Sequence, residues 1–196
     1  MKTRTYRQGA RAAAAADNTR RISAAAEELF AERLYDQVSL ADVARRAGVG
    51  LQTLIRRYET KEGLVRGVAE SAAARVEDQR GEVTPGDARG AVANLVEHYE
   101  QMGDLVLRLL AQEDRVSAFA EATERGRALH RDWVRRVFAP FLEPLPRSDR
   151  ELRTAQLVAL CDVYTWKLLR RDQGLSRART ERAMAGMVGA LLGGGV

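Results

Sequence analysis

An all-α fold of about nine helices, arranged in two parts, is what this sequence predicts. Three observations carry that expectation. Apolar residues recur at i, i+3, i+4 and i+7 along most of the chain, and no alternating run marks a strand. Proline is rare, 4 in 196 residues, while Ala, Leu, Arg and Glu dominate, a composition that favours helix. The charge is lopsided: residues 1–61 hold twelve Lys/Arg and seven Asp/Glu, and residues 62–196 hold twenty of each. The whole net charge of +5 therefore sits in the first third. Such a basic segment suits a polyanionic partner, with a merely solvated basic surface as the plain alternative.

The elements follow in order. Residues 1–16 read as a flexible basic arm carrying Lys2, Arg4, Arg7 and Arg11. Asp17 is a suitable N-cap for a first helix ending near Arg33, with Ile22, Ala25, Ala26, Leu29 and Phe30 on its buried face. Ser39, followed three residues later by Asp42, reads as an approximate capping box for a short helix burying Leu40, Val43 and Ala44. Gly48 suits a left-handed turn. A third helix runs from about Gly50 to Tyr58, burying Leu54 and either Ile55 or Tyr58. Thr60 caps a fourth, which ends at Gly81.

The stretch 81–86 is the clearest loop. Asp87 caps the next helix, which Gly103-Asp104 is expected to break, leaving a short apolar helix over 105–110. A long helix is expected over 113–138, ended by Pro140. The segment 149–172 is apolar almost all round, so a helix there needs cover on more than one side. Ser176 caps the last helix, whose Gly186, Gly189 and Ala190 allow close approach. The apolar run 183–196 is too short and too rich in glycine to span a bilayer. No targeting segment is visible, and the one cysteine, Cys161, fits a reducing, cytoplasmic setting.

Residues 39–58 carry the functional reading. Two helices joined by a tight glycine turn form a helix-turn-helix pattern, in which the first helix braces the second for the major groove. The second offers Gln52, Thr53, Arg56 and Arg57, side chains that pair with adenine, guanine or phosphate. This region also resembles the DNA-binding domain of TetR-family regulators. The likeness rests on Arg21-Ile22, on 25–33, on 35–49, on Thr53 to Tyr58 and on Lys61-Glu62. Looser likeness appears at 125–133 and 166–172.

The resemblance implies a DNA-binding unit at 17–62 and a helical effector-binding, dimer-forming body at 63–196. By position it implies that Ser39 caps its helix and touches a phosphate, and that Thr53 faces groove or backbone. Tyr58 then closes the recognition helix against the core, and Lys61 binds a phosphate at a helix N-terminus. Four positions depart from the family pattern: Ile55 replaces a tyrosine, Arg57 a histidine, Gly50 a serine cap and Leu34 a glycine. The implied function is a ligand-responsive repressor that binds a palindromic operator as a homodimer through its last two helices.

Tyr99, Met102, Phe119, Trp133, Cys161, Tyr164 and Trp166 are candidates to line an apolar pocket; simple core packing is the alternative for each. His98 and His130 sit on charged helices and are expected to be exposed. No catalytic constellation, cofactor motif or metal-ligand spacing stands out, and Cys161 lies in an apolar run that favours an inert thiol. A helical scaffold without DNA, or a nonspecific architectural DNA binder, would share the fold.

Overall fold

The computed structural model describes residues 2–193, with side chains from Ala13 onward. Ten α-helices occupy the described residues: α1 (Lys2–Glu32), α2 (Leu40–Ala47), α3 (Leu51–Tyr58), α4 (Lys61–Gly81), α5 (Ala88–Leu110), α6 (Ser117–Val137), α7 (Ala139–Leu142), α8 (Arg147–Leu160), α9 (Val163–Lys167) and α10 (Arg177–Leu191). A 3₁₀ turn at Tyr35–Gln37 and a π turn at Leu168–Asp172 complete the order.

The expected arm is instead continuous with α1, which begins at Lys2. The alanines at 12–16 have the best helix propensity of any residue and carry the helix through. Asp17 is consequently interior, and its carboxylate pairs with Arg20 at 2.9 Å and Arg21 at 3.4 Å rather than capping. The side chains of Lys2, Arg4, Arg7 and Arg11 lie outside the described ones.

The small N-terminal core forms where α1, α2, α3 and the start of α4 meet, around Ile22, Leu29, Phe30, Val43, Leu54 and Leu64. The caps of α2 fall where the sequence placed them. Ser39 Oγ accepts from the Asp42 N–H at 3.1 Å, and Asp42 Oδ2 accepts from the Ser39 N–H at 3.1 Å, which satisfies two otherwise orphaned donors. Gly48 closes α2 with φ +62°, a conformation that strains any residue with a Cβ. Leu34, where the resemblance implies a glycine, is unstrained, because its φ is −67°.

The larger core is built by α5, α6, α8, α9 and α10 around Leu95, Val96, Val134, Phe138, Leu157 and Trp166. Two boundaries differ from the sequence expectation. Gly103 does not break α5. The Trp166 ring lies against it so closely that an added Cβ would sit 2.5 Å from a ring carbon, so the glycine serves a close approach and α5 runs on to Leu110. Residues 111–116 then turn, and α6 starts at Ser117.

The expected single helix over 149–172 is interrupted at Cys161-Asp162. Asp162 Oδ1 accepts from the Tyr164 N–H at 2.9 Å and starts α9 afresh. The interruption frees backbone carbonyls for other donors: Tyr99 Oη donates to the Cys161 oxygen at 3.0 Å, and the His130 Nε2 position lies 3.1 Å from the Val158 oxygen. Nor is this region covered all round. Leu157, Cys161 and Trp166 are buried, while Leu152 and Tyr164 stay 61% and 53% exposed and Leu168 is also open to solvent. No helix of the described residues is long and apolar enough to cross a membrane.

Candidate nucleic-acid interface and ligand cavity

On α3, Leu54 is fully buried and anchors the helix, while Gln52, Arg56 and Arg57 are exposed on its outer surface. Thr53 and Ile55 are half-buried at the margins. Four other arginines of this unit, Arg20, Arg21, Arg45 and Arg46, are committed to carboxylates. Arg45 pairs with Asp42, and Arg46 reaches Glu28 at 3.0 Å and Glu32 at 3.1 Å. Arg56 and Arg57 have no carboxylate within ion-pair distance among the described residues. They are cations held out on a short, braced helix, the chemistry that attracts phosphate and guanine.

Tyr58 ends α3 by packing on α4. An added Cβ on Gly67 would meet its ring at 2.7 Å, so this glycine admits the tyrosine. Arg57 lies over the same ring at 5.5 Å. Gly50 caps α3 without any side-chain bond. Ser39 is engaged by Asp42: its hydroxyl donates to Oδ2 at 2.7 Å. That bond, the Ser39 N–H and the Arg45 guanidinium together lower the Asp42 carboxyl to about 2.

Lys61 sits differently from the expectation. Its ammonium donates to the carbonyls of Tyr35 at 2.9 Å and Val38 at 3.0 Å, and lies 3.9 Å from the centre of the Tyr35 ring. Two of its three donors thus tie the start of α4 to the loop between α1 and α2. The Tyr35 hydroxyl donates to Glu62 at 2.5 Å, and its N–H donates to Gln112 Oε1 at 3.0 Å. Burial, followed by the Glu62 bond, pushes the Tyr35 phenol well above its ordinary pKa. This knot is not legible in the sequence, since its partners are 23 to 77 residues apart.

A cavity of about 310 Å³ lies between α4, α5 and α6. Val65, Val68, Ala72 and Val76 of α4 form one wall, Met102, Leu105 and Leu109 of α5 a second, and Phe119, Ala122 and Leu129 of α6 a third. Of the seven candidate pocket residues, Tyr99, Met102 and Phe119 line it. Trp133, Cys161 and Trp166 are buried in the larger core instead, and Tyr164 is on the surface. Burial pushes the Cys161 thiol up to about 12.

The two histidines are corrections. Both are buried, and both line the cavity. Their helices carry many charges, but positions 98 and 130 fall on the inward stripes. Arg80 is 7% exposed at the same end, with Nη1 3.2 Å from His130 Nδ1. Burial, then the positive charge of Arg80, lowers His98 to about 3 and His130 to about 4. At the other end, Phe119 packs edge-on to Phe30 at 5.6 Å and to Tyr35 at 5.4 Å. Phe30 and Phe119 therefore belong both to the cavity wall and to the N-terminal core.

Comparison with known proteins fits this layout. Residues 22–68 match the pattern of the bacterial regulatory proteins of the tetR family. A transcriptional regulator from Rhodococcus sp. Rha1 superposes with a TM-score of 0.70 at 20% identity, covering 90% of this chain and 96% of that one. A TetR-family transcriptional regulator from Mesorhizobium loti MAFF303099 gives 0.65 at 24% identity, over 90% and 96%. A transcriptional regulator from Pseudomonas aeruginosa PAO1 gives 0.67 at 18% identity, over 90% of each. These likenesses establish a shared fold. No curated protein matches the chain.

Proposed function

We propose that this chain, whose residues 22–68 match the pattern of the tetR family of bacterial regulatory proteins, works as a ligand-responsive repressor that binds a near-palindromic operator as a homodimer. The observation that carries the DNA-binding half of this reading is the pair of exposed arginines, Arg56 and Arg57, left without carboxylate partners on a helix whose other face is anchored by Leu54. In this reading α3 enters the major groove, with Gln52 and Arg56 towards base edges and Arg57 on phosphate, where it replaces the contact that Ile55 cannot make. Thr53 and the start of α2 at Ser39 lie beside the backbone. Lys61 acts chiefly by fixing the position of α4.

The dimer reading rests on the uncovered apolar surface of α8 and α10. Leu152, Ala155 and Ala159 are exposed on α8, and Gly186 and Ala190 on α10, where an added Cβ on Gly186 meets nothing within 4 Å. Pairing these helices with their copies gives a four-helix interface. It would set two α3 helices roughly 34–36 Å apart, one duplex turn.

The ligand-responsive reading rests on the shared wall. The C-terminal end of α4 is pinned: Asn94 Nδ2 donates to the Gln79 oxygen at 2.9 Å, and Arg136 donates to the oxygens of Arg80 at 2.6 Å and Val83 at 3.0 Å. Its N-terminal end carries the knot of Lys61, Tyr35 and Glu62. A molecule that fills the cavity pushes on the stretch between, and it shifts the balance of conformations only as far as it prefers one of them. The test is a titration of random duplex DNA with wild-type protein and with a variant carrying Arg56→Ala and Arg57→Ala. The variant is expected to lose binding at an unchanged melting temperature; retained binding would remove α3 from the interface.

A further inference from the structure

We propose that the cavity takes an amphipathic organic acid, with its apolar body along the α4–α5–α6 walls and its anionic head on the Arg80 guanidinium. This deepens the ligand-responsive reading and rests on it for its regulatory consequence, while the binding claim stands on the site itself.

Arg80 is the starting point. An arginine keeps its charge at any accessible pH, and a buried charge is costly unless it is paired. Arg80 is 93% buried, yet every partner the chain offers is neutral. Nη1 meets the Nδ1 of His130, and the guanidinium stands 5.1 Å from the centre of the Trp133 ring. Its Nε N–H is buried without a hydrogen-bond partner. Among the described residues no carboxylate lies within ion-pair distance of Arg80.

Asp162 and Glu27 line the cavity but are engaged elsewhere, and neither forms an ion pair with Arg80. Asp162 caps α9 through the Tyr164 N–H, and Glu27 is held by Arg75 at 2.5 Å. His98 and His130 are neutral near pH 7, because burial and the Arg80 charge hold both well below the ordinary imidazole range. Arg125, Arg127 and Arg131 of α6 also border the cavity, but Arg125 is exposed and the other two pair with Glu113 and Glu124, so what remains is one desolvated, forked cation with a free N–H. A carboxylate matches that fork in geometry and cancels its charge; a neutral carbonyl can do only the first.

The rest of the cavity selects the body of the ligand. From Val65 to Arg80, α4 lines it over about 22 Å at the helical rise, and its other contributions there are Val and Ala. Phe119 and Phe30 form the far end. A long apolar body with the acid at one end therefore satisfies both the aliphatic walls and the cation. It also places the end opposite the acid against the two rings shared with the N-terminal core.

The test is calorimetric titration of the full-length protein, without DNA, with sodium decanoate, 1-decanol and decylamine. Octanoate and tetradecanoate with their matching alcohols and amines cover a shorter and a longer body. Wild-type protein is expected to bind the best-fitting acid about tenfold more tightly than its alcohol, the gain of one charge-assisted pair, and the amine most weakly. Arg80→Met is expected to abolish that preference, with circular dichroism reporting the fold. Arg80→Lys keeps the charge but loses the fork, and an intermediate preference is expected of it even if the methionine variant does not fold. Equal affinities for acid and alcohol, preference for the amine, or no binding by any of the acids overturns the proposal. An acid that binds through Arg80 but leaves DNA affinity unchanged supports this site and contradicts the ligand-responsive reading instead.

Discussion

At the level of single residues, the outward cations and the inward ones have opposite roles. Arg56 faces solvent without a partner, so Arg56→Ala should weaken operator binding by about 1–3 kcal/mol and leave the melting temperature unchanged, as read by fluorescence anisotropy and thermal denaturation. Lys61 bonds two carbonyls of its own domain. Lys61→Met should therefore lower thermal stability, by about 1–3 kcal/mol, together with DNA affinity; a drop in affinity alone would restore the phosphate role that the resemblance implied. The histidines give a pH signature. Their folded-state pKa values of about 3 and about 4 lie below the ordinary 6.5, so the unfolded chain takes up protons that the folded chain refuses. Their contribution is complete above pH 6.5 and is lost as the pH falls from there towards 4, at up to about 1.4 kcal/mol per pH unit for each group. Denaturant melts between pH 7 and 5, above the range where most carboxylates titrate, should show this decline, and His98→Leu should roughly halve its slope, leaving the His130 share. A stability that is level across that interval would mean the imidazoles are solvated.

At the level of elements, Gly103 shows what a sequence pattern can and cannot convey. Read locally, a glycine before an aspartate inside an apolar run signals a break. In three dimensions the same glycine is the seat of Trp166, 63 residues later in the chain, and α5 is unbroken. Gly103→Ala gains helix propensity of about 1 kcal/mol, but it drives a methyl group into a rigid indole held by Glu100 at 3.0 Å. Overpacking of that kind costs about 1–3 kcal/mol, so the variant should melt lower, and one that melts higher would mean the ring can move aside. The interruption at Cys161-Asp162 was equally hidden. Cys161, Asp162 and Val163 are weak helix formers, but no glycine or proline marks the break; a side-chain cap and the donors from Tyr99 and His130 to the Cys161 and Val158 carbonyls accompany it. By contrast the caps at Ser39, Thr60, Asp87 and Ser176 were legible, because a capping bond spans only three residues.

For the whole molecule, the all-α fold and the helix-turn-helix were legible because helical periodicity and capping are local, and the charge asymmetry pointed to the right third of the chain. The cavity was legible only in part. Tyr99, Met102 and Phe119 were found by their size, while Arg80, His98 and His130 were missed, because charged residues on charged helices read as surface until the packing turns them inward. The quaternary reading belongs at this scale too. If α8 and α10 pair between copies, Gly186→Arg on the open face of α10 should convert the protein to a monomer in analytical ultracentrifugation and weaken operator binding, while the monomer stays folded. An unchanged dimer would place the interface elsewhere. The most direct measurement is selection of bound sequences from randomised duplex DNA by the full-length protein at physiological salt. A dimeric, sequence-specific regulator working through α3 predicts enrichment of a near-palindrome with half-sites about one duplex turn apart, lost in the variant carrying Arg56→Ala and Arg57→Ala; binding without enrichment of any sequence would contradict it.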